Sequence, residues 1–180
     1  QGHILGSSIA HFHVGEGLYN VAFSGDIKFE KTWLFNPAVN KFPRVETLIM
    51  ESTYGGHRDT QPSRHEAAEQ LHNVAKRTLE RGGKLIAPVF AVGRSQEVMM
   101  ILENFYRYGE VDVPVYLDGM IWEATAIHSS YPEYLKSQIK HRVFNGYNPF
   151  LVDTFEKVDP KKRRDIIESK DPCIILATSG

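Results

Sequence analysis

Four short polar stretches follow apolar runs in this chain: SGDIK (24–28), ESTYGG (51–56), AVGRSQE (91–97) and LDGMIWE (117–123). Each sits where a β-type run ends, and the end of a strand is where a side chain can leave the packed layer and meet a ligand. Asp26 follows a strand and a glycine, so its carboxylate could serve a hard or borderline cation, although aspartate after glycine is also common in turns that bind nothing. His3, between Gly2 and Gly6, could be a metal ligand or a core histidine bonded to backbone. Glu51 closes the run TLIM (47–50), expected to be buried, and a carboxylate there must find partners or shift its pKa. Arg94 follows Gly93 and opens a helix whose free N–H groups favour anions, so a phosphate could sit there. Pairing of Arg94 with Glu97 or Asp118 explains the arginine equally well.

Two further features read more plainly. His11 and His13 in HFH share one face of a strand, but no third ligand lies near them in sequence. Core or surface histidines are the better reading. The run KKRR (161–164) is basic, yet Asp159, Asp165 and Glu168 flank it, which fits a solvated helix face better than a polyanion site.

These residues need a scaffold, and composition bounds it. The 180 residues are 42% hydrophobic, enough for one sizeable core or for one domain plus part of another. Lysine and arginine number 21 against 22 acidic residues, so no global field points to nucleic acid and any polyanion site must be local. The single cysteine, Cys173, excludes a disulfide framework and suits a reducing cytoplasm. No apolar run is long enough to span a bilayer, and neither a leader nor a membrane partner is expected. The absence of an initiating Met and the ending CIILATSG lead us to expect an interior piece of a longer polypeptide.

Periodicity supplies the elements. Residues 8–14 and 20–24 read as strands joined by the glycine-bearing GEGLY, and 44–53 as a buried strand. Ser63 and Glu66 form a capping box opening a helix that runs to about Arg81 and stops at Gly82-Gly83. Its apolar stripe is Ala67, Leu71, Val74, Ala75 and Leu79. Strands KLIAPVF, VPVYLD and CIILAT then alternate with helices over 94–109, 120–131 and 161–169, separated by one irregular stretch. That alternation predicts an α/β fold with a mostly parallel sheet. The boundary falls near Tyr54, giving segments 1–53 and 54–180.

Taken together, GHILGSS, FSGDIK, LIMESTYGG, GGKLIAPVFAVGRSQE and YLDGMIWEATAIH occur in the order found in β-CASP nucleases of the metallo-β-lactamase superfamily. Over essentially all its length the chain most closely resembles the archaeal homologues of the cleavage and polyadenylation specificity factor nuclease. The resemblance implies a partial metallo-β-lactamase segment, β-rich, over 1–53, followed by most of a Rossmann-like β-CASP domain over 54–180. It implies that His3 is a zinc ligand, that Asp26 bridges two zinc ions, and that Glu51 orients a histidine of the active site. Gly93 and Arg94 would lie near the RNA backbone, facing a cleft between two domains. The family's HxHxDH motif is not matched by HFHVGE and should lie upstream of Gln1. Two further histidine motifs should lie downstream of Gly180. With two ligands where a dinuclear centre needs about six or seven, the isolated chain is expected to be inactive.

The function so implied is a zinc-dependent endoribonuclease acting on single-stranded RNA in 3′-end processing or transcription termination. The expected setting is the cytoplasm, with contacts to the transcription machinery and a homodimeric full-length protein. Two alternatives stand beside it. One is a β-CASP nuclease acting on DNA or as a 5′ exonuclease; the other is a non-catalytic RNA-binding scaffold that has lost metal ligands. A plain α/β ligand-binding module would explain the periodicity but not five ordered motifs.

Overall fold

A computed structural model describes residues 2–178, and the chain divides into two compact units, Gln1–Pro62 and Ser63–Gly180. The division falls beyond Tyr54 because residues 54–62 are turns and bends without a strand or helix, one of them closed by Gly56 N donating to Asp59 Oδ2 at 2.8 Å.

The first unit is built on a sheet of order β1-β2-β3, comprising Ala10–Val14, Tyr19–Phe23 and Thr47–Ile49. β1 and β2 form the expected antiparallel hairpin, whereas β3 runs parallel to β2. This third strand is shorter and more exposed than the sequence suggested. Leu48 and Ile49, on opposite faces of this edge strand, are 55% and 50% exposed, so among the described residues neither face of β3 is fully covered. Glu46, just before it, bends to accept from the Asn20 N–H (2.6 Å) and side-chain amide (3.0 Å). That capture ends the strand on its amino side.

The second unit is α/β, with a four-stranded, all-parallel sheet of order β4-β7-β5-β6. β4 is Lys84–Pro88, β5 Val115–Asp118, β6 Phe155–Lys157 and β7 Cys173–Ala177. Helices α1 (Arg64–Glu80), α2 (Arg94–Arg107), α3 (Ile121–Ser130), α4 (Ser137–Phe144) and α5 (Arg163–Glu168) accompany it. The capping box is present: Ser63 Oγ accepts from Glu66 N at 3.2 Å while Ser63 N donates to Glu66 Oε2 at 2.7 Å. Gly82, at φ +72°, closes the other end. The inward line of α1 runs through Ala68, Leu71, Ala75 and Thr78, so Ala67 and Val74 of the expected stripe face solvent. Helix α4 and the three-residue β6 lie inside the stretch read as irregular. Only Ile139 is buried on α4, and its eight residues are too short a run for a helical period to stand out.

The core of this unit joins Met99 and Leu102 of α2 to Val115, Leu117, Ile121, Ile174 and Leu176. Glu103 is also buried, 1% exposed, where Arg142 of α4 reaches it at 2.7 Å and the Tyr147 hydroxyl donates to it at 2.6 Å. A carboxylate there is tolerated only because it is paired. Glu103→Ala, which strands Arg142 and Tyr147, is expected to lower stability by about 3 kcal/mol in denaturant unfolding. A change under about 0.5 kcal/mol would show that the cluster pins nothing.

Candidate functional site

Parallel pairing of β2 with β3 puts the exits of both strands at one sheet edge, and this brings Asp26 and Glu51 together. Ser24, buried at the end of β2, donates its N–H to Ile49 O (2.9 Å) and its hydroxyl to Gly25 O (2.6 Å). The same hydroxyl accepts from Glu51 N at 3.2 Å. The Glu51 carboxylate then returns across the gap: Oε1 accepts from Ile27 N at 3.0 Å, while Oε2 accepts from Thr53 N at 3.3 Å. The Asp26 turn is therefore held between a buried serine and a carboxylate.

His3 reaches the same place by a close backbone approach. Gly2 adopts φ +76°, and a Cβ there would lie 2.7 Å from Lys28 O and 2.9 Å from both Ala38 N and Asn36 O. Only glycine fits. Ser7 N and Oγ both donate to Ile4 O, closing the turn that follows His3. The Thr53 side chain, followed by the Ile27 N–H, holds the Glu51 carboxyl below its usual range, with partial burial opposing and attraction to His3 contributing least. Glu51 is thus tied to the turn that holds Asp26, and His3 lies within electrostatic reach of Glu51. Sequence reasoning missed Ser24 and Thr53, whose small hydroxyl side chains carry no periodic or motif signal.

Zinc would accept imidazole and carboxylate donors of this kind. Among the described residues, however, no three His, Cys, Asp or Glu side chains cluster as a metal site requires. His11 and His13 stay apart from the question. His11 Nε2 bonds Arg44 O at 3.1 Å and His13 Nδ1 bonds Asn20 Oδ1 at 2.5 Å.

In the second unit, Gly93 and Arg94 sit after β4 at the carboxyl edge of the parallel sheet. Gly93 takes φ +82°, and its N–H donates to Gln96 Oε1 at 2.7 Å. Arg94 N and Ser95 N are also used, by Val92 O and Phe90 O. The expected cradle of free helix N–H groups is therefore mostly spent internally. Neither expected carboxylate binds Arg94: Glu97 pairs with Arg64 at 3.2 Å and Asp118 with Arg163 at 2.8 Å. Among the described residues the exposed Arg94 guanidinium has no hydrogen-bond or ion-pair partner, so an anion there would meet the side chain. The KKRR run is partly neutralised, with Arg164 on Glu168 as well as Arg163 on Asp118.

A mixed α/β chain with an all-parallel sheet and these loop exits defines a class, and comparison with known families agrees. Residues 95–180 match the Beta-Casp domain family model. Over 99% of its length the chain is 59% identical to a protein named transcription termination factor FttA from Thermococcus kodakarensis and 57% identical to its namesake from Methanocaldococcus jannaschii. A protein of the same name from Lokiarchaeum is 51% identical over the whole chain. The chain spans 28% of the length of the first two relatives and 29% of the third. No helix among the described residues is long and apolar enough to cross a membrane.

Because the Glu51 carboxyl is depressed in the folded chain, its contribution is present above the unfolded value of about pH 4.3 and is lost as pH falls through the folded value. Amide exchange at Ile27 reads this directly. Protection should weaken as acid titrates Glu51, and Glu51→Gln should abolish the acid limb while keeping an acceptor for the Ile27 N–H. An acid limb that survives in the glutamine variant would assign it to another group.

Proposed function

We propose that this chain is part of a zinc-dependent ribonuclease that hydrolyses phosphodiester bonds of single-stranded RNA, in 3′-end processing and transcription termination. The observation that carries the reading is the hydrogen bond by which Glu51 holds the residue after Asp26, with His3 within electrostatic reach of the same carboxylate. The β-CASP domain and the termination-factor name of the relatives support it. His3 and Asp26 are the ligands this chain would contribute, with the remaining ligands coming from outside residues 1–180. Two zinc ions there would generate a nucleophile from water near neutral pH and stabilise charge on the reacting phosphoryl group.

The chain's own residues prepare the place. Asp26 supplies a carboxylate on a turn that Ser24 and Glu51 prevent from drifting. Glu51, already accepting from Ile27 and Thr53, acts as a positioning group. Gly93 lets the backbone turn so that Arg94 stands exposed to meet the RNA backbone. A cytoplasmic location, contacts with the transcription machinery and homodimerisation of the full-length protein belong to the same reading and rest on the family resemblance.

Cleavage of end-labelled single-stranded RNA by the full-length protein tests the proposal. Asp26→Ala should abolish cutting with the fold intact, and Glu51→Gln should slow it by about 10–100-fold. Cutting that is unaffected by Asp26→Ala would contradict it, and a wild-type protein that binds RNA without cutting would favour a scaffold. Matched DNA should be cut poorly; equal cutting would move the substrate class. The isolated 180 residues should neither cut RNA nor retain zinc through purification. Stoichiometric zinc by elemental analysis would show that its own ligands suffice.

A further inference from the structure

Phe90 is 74% exposed at the carboxyl edge of the parallel sheet, in the turn between β4 and α2. A lone exposed aromatic is ordinary on a protein surface, and what distinguishes this one is how its backbone is held. Val89 N donates to Ala177 O of β7 at 2.9 Å. Phe90 O accepts from Ser95 N at 3.2 Å and Val92 O from Arg94 N at 3.1 Å. Ala91 O accepts both the Ser95 hydroxyl at 2.6 Å and the Gln96 side-chain amide at 3.1 Å. Gln96, itself buried, is anchored on Thr125 Oγ1 at 3.0 Å. Three successive carbonyls are thus tied to the first turn of α2, and the backbone has no slack with which to bury the ring.

The electrostatics around the turn are one-sided. The carboxylates of Glu97, Asp118 and Glu123 are each paired, with Arg64, Arg163 and Lys157. Arg94, four residues after Phe90, is exposed and has no partner among the described residues.

We infer that Phe90 is a stacking platform for one unpaired base and that Arg94 takes the neighbouring phosphate, so that turn 89–94 grips a single-stranded RNA by one nucleotide. The inference rests on the ribonuclease reading above and adds to it a residue that selects strandedness. Every base offers a π-face, so the grip tolerates any sequence, while in a duplex those faces are covered by neighbouring pairs. The exposed ring favours a nucleotide over an acidic protein surface, because it offers a face for a base while the exposed Arg94, four residues on, offers a cation for a phosphate.

The test uses the full-length protein and a labelled single-stranded oligoribonucleotide at fixed salt. Phe90→Trp should bind as tightly as wild type or tighter, and Phe90→Leu, equally apolar but without a ring, about ten-fold more weakly. On a probe whose bases are replaced by abasic sites the leucine penalty should vanish. Arg94→Ala should weaken binding to both probes and reduce the salt slope by about one. The unfolding midpoint of Phe90→Leu should match wild type, since the ring is exposed. Leucine binding equal to wild type on the base-bearing strand, or an equal loss on the abasic one, overturns the platform. So does unchanged RNA affinity with loss of a protein partner. A wild-type protein that binds neither probe overturns the RNA reading itself and is told apart by that shared failure.

Discussion

The parallel pairing of β2 with β3 is the constraint from which the candidate site follows. It delivers two strand exits, SGD and EST, to the same edge, where Glu51 can accept the Ile27 N–H and fix the turn that carries Asp26. The hydroxyl of Ser24 completes the tie by accepting from Glu51 N. Antiparallel pairing would have sent the two exits to opposite ends. Gly2 brings His3 to the same neighbourhood by lying against backbone atoms of Lys28, Asn36 and Ala38, a spacing no other residue tolerates.

An equivalent constraint operates in the second unit. Four parallel strands place the loops after β4, β5, β6 and β7 along one edge. Close approach there again depends on glycine: Gly119, at φ +75°, has room for no Cβ because Thr178 Oγ1 would lie 2.1 Å from it. Buried Gln96 does for the 89–93 turn what Glu51 does for the Asp26 turn, capturing loop backbone with a side chain. The two differ in charge, and the difference matters. A neutral amide leaves Arg94 as the local charge, whereas the Glu51 carboxylate puts a negative charge beside the Asp26 turn.

Much of this was legible in the sequence because its signals are local. The capping box at Ser63 and Glu66, the stop at Gly82-Gly83 and the alternation of strand and helix each depend on neighbours within a few residues. The five ordered motifs carry the resemblance to the β-CASP family, and the apolar runs before SGDIK and ESTYGG mark Asp26 and Glu51 as residues at strand exits. What could not be read depends on distant partners. The exposure of β3 follows from what packs on its two faces, and the pairing of Glu97 and Asp118 away from Arg94 follows from where α1 and α5 pack. Helix α4 is hard to read from sequence because it is only eight residues long and its partner for Arg142, Glu103, lies 39 residues away. The roles of Ser24 and Gln96 are invisible without the backbone atoms they bind.

The central proposal is that His3 and Asp26, the latter on a turn set by Glu51, supply two of the ligands of a zinc centre. Anomalous X-ray scattering from crystals of the full-length protein, recorded on both sides of the zinc absorption edge, tests it most directly. The account predicts edge-dependent density about 2.0–2.2 Å from an Asp26 carboxylate oxygen and from a His3 ring nitrogen. Zinc bound elsewhere, or no edge-dependent density beside these residues in crystals of a protein that cleaves RNA, would contradict it.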